Sequence, residues 1–169
     1  MGYSGSGKST LAKALGQRMG FPVIHLDQLH FRQGWEERAD QVAIFLLQPW
    51  LAEPNWIIDG NYHSLGYEER ISLADQIIIL RFPRLTCLCR AFGRYRKFRG
   101  QTRPDMSPGC PEKFDLAFIW WILHQGRNRR MRNRYQALVE RFPEKCMIFR
   151  SQKQINAYLK TLTTTADGQ

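Results

Sequence analysis

At 169 residues the chain has the length of one domain with a full core, and 43% hydrophobic against 24% charged residues is ordinary globular composition, which argues against disorder except in a frayed tail at 163–169. The longest apolar run, LAFIWWIL at 116–123, is far shorter than the roughly 18 to 20 residues of a transmembrane helix, and no signal peptide is visible, so a cytoplasmic protein with no membrane partner is expected. The net charge of +10 is regional: between Arg81 and Arg134 fourteen Lys and Arg stand against Asp105, Glu112 and Asp115, a region suited to covering a polyphosphate, meeting nucleic acid or forming a solvated helical face.

The chain opens with GYSGSGKST at 2–10, which fits G-x-x-x-x-G-K-[ST] at every fixed position. Gly2, Gly5 and Gly7 let the backbone approach a polyphosphate, while Ser4, Ser6 and Thr10 complete the loop and its entry into a helix. Lys8 reaches the β and γ phosphates, the Ser9 hydroxyl is placed to ligate Mg²⁺, and the helix turns its positive end toward the anion. Only Met1 precedes the motif where a buried strand is expected, which suggests a segment upstream. The same residues fit the myristoylation pattern M-G-x-x-x-[ST], but phosphate binding already accounts for them.

Residues 11–19 read as a helix closed by Gly20, and PVIHLD at 22–27 as a short strand ending in an acid. A helix over 36–51, disturbed near Pro49, leads to the strand NWIIDG. A short helix at 64–75 feeds the strand QIIILRF at 76–82, whose continuous apolar run suits a parallel sheet buried on both faces. A helix at 85–98, a Gly/Pro-rich loop at 100–112, two helical stretches around Gly126, the strand CMIFR at 146–150 and a helix capped by Ser151 complete the order. The alternation implies an α/β fold with a parallel sheet covered on both sides. Cys87, Cys89, Cys110 and Cys146 show neither a C-x-x-C pair nor zinc spacing, and read as reduced structural thiols.

Ligands in such sheets bind beyond the carboxyl ends of the strands, which places Asp27, Asp59 and Arg81 at the site. Asp59 ends an apolar strand as a Walker-B acid does and is the candidate second Mg²⁺ ligand, the alternative being an Asp-Gly turn. Asp27 could orient or deprotonate an acceptor hydroxyl, or cap a helix. His25 and His30 read as structural histidines rather than as a metal triad with Asp27.

The segments GYSGSGKSTLA, HLDQLHF, WIIDGNY, ADQIIIL and RGQTRPDMSPGCPEKFDL, in that order, resemble the bacterial DNA topology modulation (FlaR-related) proteins, a family similar to adenylate-kinase-like P-loop kinases. The resemblance covers nearly the entire chain. It implies a P-loop NTPase with a doubly wound parallel sheet and flanking helices, in one domain spanning 1–169, with an acceptor-binding segment at about 28–55 and a mobile lid at about 95–125 that closes over ATP. In the lid and the helix after it, Arg94, Arg103 and Arg130 are candidate catalytic cations beside Lys8, with Asp27 addressing the acceptor; Arg127, Arg130 and Arg134 fall on one helical face. Adenylate-kinase-like enzymes place an arginine soon after the Asp-Gly pair, whereas the run here is DGNYHSLGYEER, whose nearest arginine is Arg70. Arg32 and Arg38 can supply the charge, and Asn61, Tyr62 and His63 offer hydrogen bonds. The expected acceptor set is therefore Asp27, Arg32, Asn61, Tyr62 and Arg70, for a nucleotide, nucleoside or other small molecule.

The leading expectation is an ATP- and Mg²⁺-dependent phosphotransferase on a small acceptor. One competing reading is a nucleic-acid-associated regulator of DNA topology switched by ATP, suggested by the family name and the basic region but lacking any known DNA-reading motif. Another is an ATPase with no acceptor.

Overall fold

The computed structural model describes residues 1–162; the tail at 163–169, expected to fray, lies outside the described residues. The structure is mixed α/β. Helix α1 (Lys8–Met19) follows the glycine-rich loop and ends where the Gly20 N–H donates to the Gly16 carbonyl at 2.9 Å. Strand β1 (Val23–His25) is shorter than its apolar stretch, because Leu26 already turns into α2 (Leu26–His30), with Asp27 in its first turn. Then come α3 (Asp40–Leu51), with Pro49 in its last turn, β2 (Ile57–Asp59), α4 (Tyr67–Leu73), β3 (Ile77–Leu80) and α5 (Arg84–Lys97).

After the loop at 100–112, Asp115 and Asn128 cap α6 (Leu116–Leu123) and α7 (Arg129–Arg141) through their side chains. Strand β4 (Cys146–Phe149) leads to α8 (Gln152–Thr161), where Ser151 and Gln154 form a reciprocal capping box. Among the described residues no helix is long and apolar enough to cross a membrane.

The strands are parallel, as their apolar runs predict, but they form two pairs rather than one continuous sheet. β1 pairs with β2, setting His25 opposite Asp59, and β3 pairs with β4 from Ile77 opposite Cys146 to Leu80 opposite Phe149. The chain start continues the second pair: Gly2 lies opposite Leu80, whose N–H donates to the Met1 carbonyl at 2.9 Å. Each pair carries its own core, Leu26, Leu47 and Leu65 beneath β1 and β2, and Leu15, Ile79 and Phe149 around β3 and β4. Between β2 and β3 lies a cavity of about 250 Å³, lined mainly by apolar side chains but also by Lys8, Asp59 and Arg70.

Candidate active site

The loop at 2–7 has the shape its glycines predict. Gly2 (φ 144°) runs so close to β3 that a Cβ there would sit 2.6 Å from the Leu80 carbonyl oxygen, and at Gly5 (φ 74°) a Cβ would sit 2.2 Å from that of Cys87. No residue with a side chain fits either place. Gly7, the N-cap of α1, offers no side-chain acceptor, so the first-turn amides of Lys8, Ser9 and Thr10 face the loop without an intrahelical partner. Such amides, with the positive helix end, are an anion cradle. The Lys8 ammonium folds back across the loop and donates to the Tyr3 carbonyl at 3.2 Å. Ser6 is fully buried, its hydroxyl without a hydrogen-bond partner, and its N–H donates to the Tyr3 carbonyl at 3.1 Å.

A cavity of about 710 Å³ lies over this cradle, lined by residues 5–10, by Lys13 and Gln17 of α1, by Arg90, Arg94 and Lys97 of α5, by Arg103 and Asp105, and by Gln152 and Ile155 of α8. Its volume falls within the roughly 300–1,000 Å³ of small-molecule sites. Its walls carry six cations, so its field favours a polyanion. Arg90 bridges the walls, donating to the Ser6 carbonyl at 2.8 Å and the Gln152 side chain at 2.9 Å, with its guanidinium 4.2 Å from the Phe82 ring centroid.

Asp59, at the end of β2, meets the loop from below. Its Oδ2 accepts from His25 Nδ1 at 3.1 Å, and its buried Oδ1 has no hydrogen-bond partner. Burial pushes the carboxyl up, but the His25 hydrogen bond, the Lys8 charge and the Ser9 hydroxyl outweigh it and hold the pKa at about 2. An ionised carboxylate with an unused oxygen beside a serine hydroxyl fits Mg²⁺, which binds through one or two carboxylates together with phosphate oxygens and water. Among the described residues no group of three or more His, Cys, Asp and Glu could hold a metal without such a ligand.

On the other side, Asp27 Oδ1 accepts from the Tyr62 hydroxyl at 2.7 Å, and burial, then the Asp27 charge, raises the Tyr62 pKa. His30 lies against Tyr62, with ring centroids 4.5 Å apart, and buried His30 Nδ1 and Trp35 Nε1 make no hydrogen bond. The loop at 100–112 closes over this segment: Gln28 Nε2 donates to the Pro104 carbonyl at 2.8 Å, Gly34 N–H to that of Gly109 at 3.2 Å, and Cys110 Sγ to that of Arg32 at 3.2 Å.

The expected arginines divide. Arg94 and Arg103 line the cavity, but acids hold both: Arg94 pairs with Glu112 at 2.6 Å, while Arg103 pairs with Asp105 at 2.6 Å and also with Glu112. Lys13 joins through Asp105 at 2.9 Å, tying the loop to α1. Arg130 is exposed at the start of α7, near His63, and is not among the residues lining this cavity; Arg127 from the same predicted face is buried, donating to the Phe82 carbonyl at 2.8 Å. The predicted face therefore does not meet the loop as a unit.

The expected acceptor residues divide as well. Arg32 is exposed, 3.6 Å from Glu36, whereas Arg38 donates to the Gln28, Leu29 and Phe31 carbonyls. Asn61 spends its amide on Gly2, accepting from its N–H at 3.0 Å and donating to its carbonyl at 2.5 Å, which clamps the end of β2 to the glycine-rich loop. Arg70 is buried and donates to the Leu65 carbonyl at 2.7 Å and to the Tyr62 carbonyl. Arg70→Leu is therefore expected to cost about 2–6 kcal/mol, since it strands two carbonyls at about 1–3 kcal/mol each. The urea midpoint should fall while the relative kcat/KM among acceptors stays unchanged.

Sequence reasoning missed Lys13, Asp105, Glu112 and Gln152. Lys13 stands one helical turn beyond Ser9, and Gln152 follows the end of a parallel strand, so periodicity and the carboxyl-end rule were the available signals. Burial pushes the Asp105 carboxyl up, but Lys13 and Arg103 pull it below the usual range. A depressed folded pKa means that the contact is complete above the ordinary aspartate range and is lost as the pH falls through the folded value. Asp105→Asn should remove that acid dependence and, at neutral pH, raise amide exchange across 100–112 by about tenfold or more, equivalent to about 1.4 kcal/mol.

No protein-family profile matches the chain, and no curated protein shows significant similarity to it.

Proposed function

We propose that the chain is an ATP-dependent P-loop phosphotransferase acting on a small acceptor, of the adenylate-kinase-like kind that the DNA topology modulation proteins resemble. The observation that carries this reading is the conjunction at one point of the uncapped α1 amides, Lys8, and the ionised Asp59 with its unused oxygen, beneath a cation-lined cavity of about 710 Å³. A flexible glycine-rich terminus would not need two glycines wedged against neighbouring backbone.

In this reading the β and γ phosphates lie on the loop amides and Lys8, while Ser9 and Asp59 hold Mg²⁺, which neutralises phosphate charge when bound. The acceptor hydroxyl enters on the Asp27 side. Its oxygen bonds to the γ phosphorus as the bond to the β–γ bridging oxygen breaks; ADP leaves and the proton passes to Asp27. Arg94 and Arg103 exchange Glu112 and Asp105 for phosphate oxygens when the nucleotide enters the cavity. The fold belonging to this reading is a doubly wound parallel sheet, with β1 and β2 on one side of the loop and β3 and β4 on the other.

The test follows Mg²⁺-dependent ADP formation from ATP with and without a panel of nucleoside monophosphates, nucleosides and small hydroxyl compounds. Large stimulation by one acceptor supports the reading. A chain that binds ATP but gives no stimulation with any member of the panel contradicts it. The second reading, an ATP-switched nucleic-acid-associated regulator, draws on the exposed Arg129, Arg130 and Arg132. It requires DNA binding that weakens by about one log unit per log salt for each phosphate neutralised, and absence of binding at physiological salt removes it.

A further inference from the structure

Helices α3 and α6 each carry apolar side chains on two opposite faces, of which the fold covers one. We infer that the open face of α3 in one copy of the chain docks on the open face of α6 in a second copy, so that each face is the partner of the other.

Helical spacing sets the two faces. In α3 the stripe Ala43, Leu47 and Leu51 is buried in the core beneath β1 and β2. Val42, Phe45, Leu46 and Trp50 repeat at i, i+3, i+4 and i+8 on the other side and are exposed, Phe45 at 75%. The sequence of α6, LAFIWWIL, contains no polar residue: Ile122 is buried, while Leu116, Trp120 and Trp121 are exposed, Leu116 at 84% and Trp120 at 54%. Phe92 of α5, also exposed, lies beside the start of α6, its ring centroid 5.3 Å from that of Phe114. A surface helix that answers only to its own core shows one apolar stripe and turns polar residues to water. Exposed rings and aliphatic side chains gathered on one face mark an interaction surface, whose centre is characteristically rich in Phe and Trp.

Charge chooses the partner. Residues 36–75, which include α3, hold eight Asp and Glu against Arg38 and Arg70, a net of −6, whereas residues 81–134, which include α6, hold fourteen Lys and Arg against three acids, a net of +11. Beside the α3 face, exposed Asp40 and Glu69 bond to uncharged groups, the Ser64 hydroxyl and the Gln48 amide, each at 2.9 Å, and Glu53 is exposed just past the helix end. Lys113 ahead of α6 and Arg129 and Arg130 beyond it are exposed, with the α6 cap Asp115 the one acid between them. Docking α3 on α3, or α6 on α6, would set like charges against each other. Docking α3 on α6 matches apolar centre to apolar centre and acidic rim to basic rim. An anionic membrane would suit α6 but leave α3 uncovered, so a second copy is the occupant that accounts for both faces.

The experiment is sedimentation equilibrium of the unmodified chain from about 1 to about 100 µM, beside Phe45→Gln, Trp120→Gln and an equimolar mixture of the two variants. The mass of the unmodified chain should rise above 19.9 kDa with concentration. Each variant alone should self-associate about thirtyfold or more weakly, the loss that follows truncation of one central ring, while its Tm stays unchanged because both positions are exposed. The mixture should recover association as a one-to-one pair, since the Phe45 variant keeps its α6 face and the Trp120 variant keeps its α3 face. A monomer throughout the range, a variant that associates as well as the unmodified chain, or a mixture no better than either variant overturns the inference. So does a monomeric chain that binds vesicles rich in anionic lipid and loses that binding in Trp120→Gln. No arm needs nucleotide, so the outcome is separate from that of the phosphotransfer assay.

Discussion

Lys8→Ala is expected to lower Mg²⁺-dependent phosphoryl transfer by about 10²–10³-fold or more, the loss that follows removal of one donor aimed at developing charge. Lys8 is the cation that reaches across the loop, and its present acceptor, the Tyr3 carbonyl, stands where a phosphate oxygen would compete for it. The substitution leaves the fold intact, because Lys8 is only half-buried and its α1 position suits alanine. Unchanged Tm with lost turnover is the expected pair of results in a thermal melt and an ADP assay. A variant that keeps more than about a tenth of the rate would place the transferred charge elsewhere.

Gly5→Ala should act on both structure and binding. A methyl at this position would stand 2.2 Å from the Cys87 carbonyl oxygen, on a backbone with φ 74° that side chains rarely adopt. Strain of about 1–3 kcal/mol and overpacking of about 1–3 kcal/mol add to a Tm loss of about 10 °C. Relief requires the loop to move away from α5, which carries Arg90 from its contact with Ser6 and spoils the amide cradle. Nucleotide affinity should fall with stability, in contrast to Lys8→Ala. Titration calorimetry beside a thermal melt separates the two variants.

The strands and most helices were legible because their signals are local. IIIL and CMIF are continuous apolar runs, Gly20 stops α1, and Ser151 with Gln154 announces α8. The shape of the glycine-rich loop was legible from its motif, although the backbone that Gly2 and Gly5 approach, at Leu80 and Cys87, is distant in sequence. The pairing of strands was not, since the division into β1 with β2 and β3 with β4 depends on neighbours distant in sequence rather than on any one strand's composition.

The polar network was legible only in part. Asp59 could be placed from a strand-ending acid, but its unused oxygen and its bond to His25 come from the register that sets residue 25 beside residue 59. Asn61 and Arg70 were expected at an acceptor because polar groups after Asp-Gly invite that reading; nothing in the sequence says whether such a group meets ligand or backbone. The Lys13, Asp105, Arg103 and Glu112 chain was hidden for a different reason. Lys13 and Asp105 are 92 positions apart, and only the closed loop makes them neighbours.

The central claim is that the cavity over the loop holds the polyphosphate of a Mg²⁺-bound nucleotide, and titration calorimetry of the unmodified chain with ATP, with Mg²⁺ and with excess EDTA, tests it most directly. The account predicts saturable one-site binding that Mg²⁺ strengthens, that inorganic triphosphate competes away, and that Lys8→Ala weakens. Absence of saturable binding up to millimolar ATP in a folded chain, or binding indifferent to both Mg²⁺ and Lys8, would contradict it.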